Sequence, residues 1–437
     1  MFVKDPGGLG LEKFLLYILI VCIVECAREV TAMDRHQRLA ILAEAAADDR
    51  EHGVSKGPNR PGDPVGITRV RLPGGGSTQI MRVMQTNACS LACGYCPTFC
   101  GGKVKRTALA PEEVAATFME AHRAGLAQGL FLTSGVPGRP VRAMDRMLAA
   151  VEVLRRKEGY RGYVHIKLLP GSELAQVEEA AGLANRVSIN LEGPGDAYVR
   201  RLAQDKDFSG DLLPKLELAG RLLREAGRDR SREGVRPAGT TTQFVVGPAG
   251  EKDREILSLV AGLERQRLLH HAHFSAFQPV VGTPMEGEPS TPATREFRLY
   301  QAEHLLRQYG FDFEELPFDA DGNLPLDYDP KTAWALRHVE QFPLEVGRAP
   351  YELLVRVPGV GPKAALTLVS ERRRSVFRGP EDLRRVGVDT VRAGYFLALR
   401  GRRLAPRLPA HQFRLFPHGR HLTQAAWRTP VPPCAFR

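Results

Sequence analysis

From Gln79 to Tyr309 the chain alternates between short apolar runs rich in β-branched residues and longer stretches whose apolar positions recur at helical spacing. The runs Gln79–Gln85, Gly129–Thr133, Val164–Leu168, Arg186–Leu191, Thr240–Val246 and Ala272–Phe277 predict strands. Between them, Pro111–Ala124, Arg142–Lys157, Ser172–Ala184, Asp211–Ala226 and Lys252–Arg265 predict helices, and Thr294–Tyr309 closes the series. Strands that alternate with helices imply a parallel sheet wrapped by helices. Right-handed crossovers curve such a sheet, so the expected fold is α/β, a partial (β/α)6 TIM-like barrel. Ligands of such barrels sit at the C-terminal ends of the strands.

Outside this core the pattern changes. Asp34–Asp49 predicts an amphipathic helix with Leu39, Ile41, Leu42 and Ala45 on one side. A Pro/Gly-rich polar segment follows, from His52 to Ser77. Phe311–Gly347 is expected to be a connector, and a small all-α domain is expected from about Pro350. The expected division is therefore 1–32, an extension ahead of a true start at Met33; 33–78, helix and linker; 79–310, barrel; 311–347, connector; 348–402, small helical domain; and 403–437, a basic disordered tail. The apolar run Phe14–Val24 is shorter than the roughly 20 residues a bilayer span requires, so no membrane association is expected.

Composition adds a partner. Residues 346–437 hold 18 of the 61 Lys and Arg but 5 of the 50 Asp and Glu, a local net of +13, which leaves the rest near neutrality at −2. A basic C-terminal part on a neutral body suits a polyanion. Four of the seven cysteines, Cys89, Cys93, Cys96 and Cys100, fall within one short stretch, QTNACSLACGYCPTFC, directly after the first barrel strand. A large chain with one tight cysteine group is not a disulfide scaffold; it has the composition of a metal site in a reducing, cytoplasmic compartment.

A C-x3-C-x2-C loop can wrap three thiolates around three corners of a cubane and leave the fourth iron open. Two structural alternatives use all four thiols: a tetrahedral zinc site completed by Cys100, or a closed cluster. The place of the loop at the top of a strand, and Tyr95 before the third cysteine, favour the open site. CSLACGYC is the signature of the radical S-adenosylmethionine (SAM) superfamily, which the chain resembles here. That resemblance implies a [4Fe–4S] cluster on Cys89, Cys93 and Cys96, with Tyr95 near the adenine of SAM. It implies reductive cleavage of SAM to a 5′-deoxyadenosyl radical, fed by an electron donor such as flavodoxin or ferredoxin. The Gly-Gly-Glu-like turn usual after the second strand is here Leu132-Thr133-Ser134-Gly135, without the acid, which leaves Ser134, Thr133 or backbone carbonyls for the methionine end. Asn190, Glu192 and Gln243 are further cofactor-binding candidates at strand ends, with Ser275 and Gln278 beyond them. Glu192 stands out, because an acid at the mouth of an apolar strand needs a partner. Lys167 and the spare thiol of Cys100 are the catalytic candidates.

The second informative stretch is Tyr351–Arg374, YELLVRVPGVGPKAALTLVSERRR. An apolar helix ends before Pro358-Gly359-Val360-Gly361, and Pro362 stands at the first position of the next helix. Glycines there expose backbone amides at the positive end of a helix, which favours a phosphate oxygen. A weaker echo follows at Leu383–Val388. The stretch resembles the helix-hairpin-helix modules of DNA repair and recombination proteins, and implies nucleic-acid contacts at Gly359, Gly361, Lys363, Arg372, Arg373 and Arg374. With LEGP, LAQDKD (Leu202–Asp207) and DPKTAWALRH (Asp329–His338), the chain resembles the group of radical SAM proteins named for DNA modification or repair. The expected substrate is nucleic acid, DNA ahead of RNA. Two other readings stay open at this point: a nucleic-acid-binding protein with a structural or redox-sensing cluster, and a radical SAM enzyme for a small molecule. In the tail, Gln412–Phe416 resembles the Gln-x-x-Leu-Phe peptides that bind sliding clamps.

Overall fold

The computed structural model describes residues 33–46, 66–71, 76–228, 235–374 and 376–406. The N-terminal extension, most of the polar linker and the clamp-like peptide Gln412–Phe416 lie outside the described residues. The chain forms two compact units, residues 1–303 with 320–323, and residues 304–319 with 324–437. No helix among the described residues is long and apolar enough to cross a membrane.

The first unit is a seven-stranded sheet in strictly sequential order: β1 (Ile67–Arg71), β2 (Ser77–Met84), β3 (Gly129–Thr133), β4 (Tyr163–Lys167), β5 (Arg186–Ser188), β6 (Gly239–Val246) and β7 (His271–Ala276). β2 to β7 are parallel and form a curled partial barrel, as the alternation predicts. β1 is antiparallel to β2 and falls inside the segment expected to be a linker; its five residues, Ile-Thr-Arg-Val-Arg, carry only two apolar positions among Pro and Gly neighbours, too few to read as a strand. Helix α1 (Arg35–Ala45) precedes the sheet, and α2 (Pro111–Arg123), α3 (Pro140–Glu152), α4 (Leu174–Leu183), α5 (Asp196–Leu202), α6 (Leu213–Ala226), α7 (Asp253–Arg265) and α8 (Ala293–Tyr309) follow β2 to β7. One row of each strand packs outward on these helices: Leu130, Leu132, Val164, Ile166, Val187, Phe244 and Ala272 have no exposed surface. Burial of each large member of that row stabilises by roughly 1.5–3 kcal/mol.

Two helices depart from the α pattern. The stretch Arg142–Lys157, expected as one helix, is α3 followed by a π turn at Val153–Lys157. The wider turn admits the buried Arg155, whose guanidinium donates to the carbonyls of Leu183, Tyr160 and Gly162 and to Asn185 Oδ1. A second π turn, Phe208–Leu212, precedes α6 and is capped by the Asp207 carboxylate, which accepts from Gly210 N at 2.7 Å.

The second unit takes up the segment expected to be a connector. Helix α9 (Pro330–Arg337) is capped by Asp329 and buries Trp334. Trp334 packs against Phe311, His338 and Phe342, and Arg356 lies 5.7 Å from its ring centre. The residues of 311–347 thus contribute core, not a tether. The unit is not all-α: β8 (Leu344–Glu345), β9 (Leu397–Leu399) and β10 (Arg402–Arg403) form a small sheet in the order β10-β9-β8. These strands are two or three residues long, too short for a period-2 pattern to register.

Two helix pairs complete the unit. α10 (Tyr351–Leu354) leads into α11 (Pro362–Glu371), and α12 (Pro380–Arg385) into α13 (Thr390–Ala393). Each connection has a glycine in the left-handed region, Gly359 at φ 85° and Gly387 at φ 90°. The pairs meet at Gly359, whose carbonyl accepts from Asp389 N at 2.9 Å. A Cβ on Gly359 would come within 2.6 Å of the Asp389 carbonyl, so both backbone conformation and packing demand glycine there.

Candidate functional site

The cysteine loop leaves the barrel at the end of β2 and is fastened on three sides. Asn87 Oδ1 accepts from Thr107 N, and its amide donates to the Lys105 carbonyl, both at 2.8 Å. Arg106 donates to the carbonyls of Asn87, Thr98, Phe99 and Gly102, which gathers the loop around one guanidinium. Toward β3, Ser90 N and Oγ both donate to the Val136 carbonyl, and Gly135 packs so closely on the Ala88 carbonyl that no side chain fits. Toward α5, Ala92 N donates to Asp205 Oδ2 at 2.6 Å and Gly94 N to the Leu202 carbonyl at 2.8 Å.

This fastening directs the thiols of Cys89, Cys93 and Cys96 to a single cavity of about 380 Å³ at the C-terminal ends of the strands. All three are free, and Cys93 is buried. Cys96 Sγ lies 3.1 Å from Thr98 Oγ1. Cys100 is exposed and does not line the cavity, so the fourth thiol stands apart from the other three. Among the described residues no three His, Cys, Asp or Glu side chains are grouped as a single-ion site.

The cavity collects the strand-end residues that the alternation points to. Tyr95, Ser134, Asn190, Glu192 and Gln243 all line it, together with Thr133, Lys167, Ser275 and Gln278. An apolar wall of Leu202, Val245, Phe277 and Met285 supports Tyr95. Of the two catalytic candidates, Lys167 is therefore in the cavity and Cys100 is outside it.

Lys206 is the residue that sequence reasoning missed. Its ammonium lies 2.7 Å from Glu192 Oε1, with side-chain exposures of 8% and 1%, and 3.4 Å from the Tyr95 hydroxyl. Here is the partner that Glu192 requires. Burial alone would push the Glu192 carboxyl up, but the charge and hydrogen bond of Lys206 outweigh it and hold the acid below its ordinary range. Burial opposes the charge on Lys206; the neighbouring Cys93 and Glu192 more than compensate, so the lysine stays protonated. Cys93 is pushed up to about 11, chiefly by burial and against the attraction of Lys206. As a free thiol it is therefore protonated, and ligation must release that proton.

Glu192 has φ 63°, a conformation that costs a non-glycine residue. It is locked in by hydrogen bonds on both sides, Glu192 N to the Gln243 carbonyl and Val245 N to the Glu192 carbonyl. The turned backbone brings the carboxylate toward Lys206. Its second oxygen, Oε2, is buried and makes no hydrogen bond among the described residues. The signal for Lys206 was present in LAQDKD: Leu202, Asp205, Lys206 and Asp207 hold, respectively, Gly94, Ala92, Glu192 and the π turn.

In the second unit the expected phosphate contacts separate. Gly361 caps α11, and Lys363 is exposed in its first turn. Arg373 and Arg374 are exposed at the far end of the same helix. Arg372 turns inward and donates to the carbonyls of Ala349 and Val346, a structural tie rather than an open cation.

The family model of the Radical SAM superfamily matches residues 83–261. Comparison with curated proteins gave no match. Among solved structures, the chain is similar to the FeFe-hydrogenase maturase HydG from Carboxydothermus hydrogenoformans, at 15% identity over 52% of this chain and 51% of that one, TM-score 0.42. It is also similar to methylornithine synthase (PylB), at 17% identity over 59% and 68%, TM-score 0.41. A radical SAM methyltransferase from Sphaerobacter thermophilus aligns at 16% identity over 55% and 70%, TM-score 0.39. The chain spans about half the length of the hydrogenase maturases it matches. With the C-x3-C-x2-C loop at the top of a curled parallel sheet, residues 83–261 are a domain of the radical SAM superfamily.

Proposed function

We propose that the chain is a radical SAM enzyme that acts on nucleic acid, with DNA as the first substrate to test. Members of the superfamily bind a [4Fe–4S] cluster and SAM. The residues present fit both groups. Cys89, Cys93 and Cys96 offer three thiols to one cavity, and Cys100 is held away from it, which leaves room for an iron without a protein ligand. The orphaned Glu192 Oε2 offers a buried acceptor in the same cavity, with Asn190, Ser134 and Gln243 around it as candidate contacts for the cofactor. When bound, the cluster supplies an electron, from a donor such as flavodoxin or ferredoxin, for reductive cleavage of SAM to a 5′-deoxyadenosyl radical. The protein's own part is to orient and to exclude water. The Arg106 clamp fixes the loop, Lys206 holds Glu192 and Tyr95, and the apolar wall of Phe277 and Met285 shields the reacting centre.

The observation that carries the enzyme reading is the meeting of three loop cysteines with the ends of β3 to β7 in one cavity. Anaerobic reconstitution followed by dithionite and SAM tests it. Release of 5′-deoxyadenosine is expected; a loaded cluster that releases none would leave a structural or redox-sensing role instead. The nucleic-acid part rests on the paired hairpins and on the net +13 of residues 346–437. The turn at Gly359–Gly361 presents backbone amides at the start of the ten-residue α11, with Lys363 beside it, which suits a phosphate rather than a base. Titration of the full-length protein with duplex DNA, single-stranded DNA and RNA at several salt concentrations tests it. Affinity that falls steeply with salt is expected; absence of binding would return the substrate to a small molecule.

A further inference from the structure

Beneath the cofactor cavity the barrel has a second layer of unusual chemistry. The pleat turns alternate residues of each strand inward. Those that reach the cavity are Met84, Thr133, Lys167, Asn190, Gln243 and Ser275. Two residues earlier, on the same faces, stand Arg82, Phe131, His165, Ser188, Thr241 and His273. Such layers are ordinarily filled by bulky branched apolar side chains. Here five of the six are polar and three are basic.

The layer is continuous. Strand register places Arg82, Phe131, His165 and Arg186 side by side across β2 to β5. The Arg82 guanidinium lies 5.0 Å from the Phe131 ring centre, and the Phe131 and His165 rings are 4.7 Å apart. His165 Nε2 is 2.8 Å from Ser188 Oγ. From β7, His273 faces the same interior, and burial together with the charges of Arg186 and Arg82 keeps both His165 and His273 well below the usual imidazole range. Both nonetheless keep part of their surface accessible at mid-strand, while Arg82, Phe131, Ser188 and Thr241 of the same layer are buried.

The inward faces of β2 to β7 hold no Asp or Glu. Glu192 is engaged with Lys206, and Glu303 with His271 at 2.8 Å. Arg186 makes no side-chain hydrogen bond or ion pair among the described residues, and its Nε is buried. Thr241, 1% exposed, has an unpartnered Oγ1 in the same layer. A partly buried guanidinium whose Nε lacks a partner, set among basic neighbours, is stabilised when an anion joins it.

We propose that this layer binds an oxyanion of the substrate, a phosphate ester, directly below the cavity that receives SAM, with Arg186 as its principal contact. Guanidinium groups offer paired donors that match phosphate oxygens, and Lys167 lies at the boundary between cavity and layer. The inference deepens the nucleic-acid reading and rests on it for the source of the phosphate.

The test uses full-length protein reconstituted with its cluster and supplied with SAM. Thymidine 5′-monophosphate and thymidine are the probes, and inorganic phosphate is the competitor. The monophosphate is expected to bind at least about tenfold tighter than the nucleoside, and phosphate to displace it. Arg186→Gln should remove most of that difference while iron content and SAM affinity stay at wild-type values, and Arg186→Lys should restore part of it. Equal affinity for the two probes, no saturable binding of the monophosphate, or unchanged affinity in Arg186→Gln would overturn the proposal. Duplex-DNA binding measured on the same variants separates the two readings. If it persists while the monophosphate fails to bind, the anion layer is wrong and the hairpin reading stands. If it is absent while monophosphate binding depends on Arg186, the anion layer stands without the hairpin.

Discussion

The cysteine loop and the hairpin turn are both short irregular segments between regular elements, yet they are built in opposite ways. The loop at Cys89–Cys96 is tied down by Asn87, Ser90, Arg106 and Asp205, and a buried ion pair stands behind it. The turn at Gly359–Gly361 leaves Lys363 exposed and takes its rigidity from the close approach of Asp389. Radical chemistry needs enclosure and fixed ligands, whereas the phosphate contact proposed for the turn needs amides and charge at the surface. The difference teaches that residue pattern suggests a use for each loop, while what surrounds the loop sets how enclosed and how fixed it is.

The comparison breaks most sharply at the cysteines. Cys96→Ala should abolish iron binding at the expected stoichiometry and with it all 5′-deoxyadenosine release, while salt-dependent DNA binding survives; iron analysis and a binding titration on one preparation check both. Loss of DNA binding in the same variant would deny that the two sites act separately.

Lys206→Met comes next. It leaves the Glu192 carboxylate buried without its cation, a change that costs on the order of 3–5 kcal/mol in such pairs. A lowered urea midpoint is expected, partly recovered in the double variant Lys206→Met with Glu192→Gln. Equal destabilisation in the double and single variants would show that the pair is not what holds this part of the site.

A third effect belongs to the second unit. Lys331 is buried beneath the hairpin, donates to the Val360 carbonyl at 2.5 Å, and is pushed down to about 7 by burial. Between pH 7 and the ordinary lysine value of roughly 10.4, the unfolded chain binds more protons than the folded one, so stability rises with pH across that window, by at most about 1.4 kcal/mol per unit. Below pH 7 the penalty is complete and the slope ends. Denaturation at pH 7.5 and 9.5 should show the rise for the unit that holds the hairpins, and Lys331→Met should flatten it.

The smallest effect is at the surface. Lys363→Gln should weaken DNA binding severalfold and lower the salt slope by about one. Arg372→Gln sharpens the contrast, because its loss removes hydrogen bonds to Ala349 and Val346 and is read in stability before it is read in DNA affinity.

Much of this was legible in the order of residues. Hydrophobic alternation located β2 to β7 within a few residues, because buried parallel strands and amphipathic helices must carry those periods. The cysteine spacing named the chemistry of the first loop, and the placement of that loop after β2 named the end of the barrel where it acts. The placement of Tyr95, Ser134, Asn190 and Glu192 along the cavity was accessible for the same reason, since each follows a strand, and Gln243 lies on an inward face within β6.

Other features came only with the folded chain. The Lys206–Glu192 pair depends on the left-handed turn at Glu192 and on the placement of α5, which no local period records. The exclusion of Cys100 and the inward turn of Arg372 depend on which side of a loop or helix faces neighbours. The polar row of Arg82, His165 and Arg186 draws on three strands far apart in sequence, which only register brings level, and His273 joins it from β7 through the curl of the sheet. Sequence by itself determined the elements and the grouping of the three loop cysteines, because these follow from local periodicity and covalent spacing. Tertiary structure decided which charges share a buried space, because electrostatic coupling follows distance through the fold and not distance along the chain.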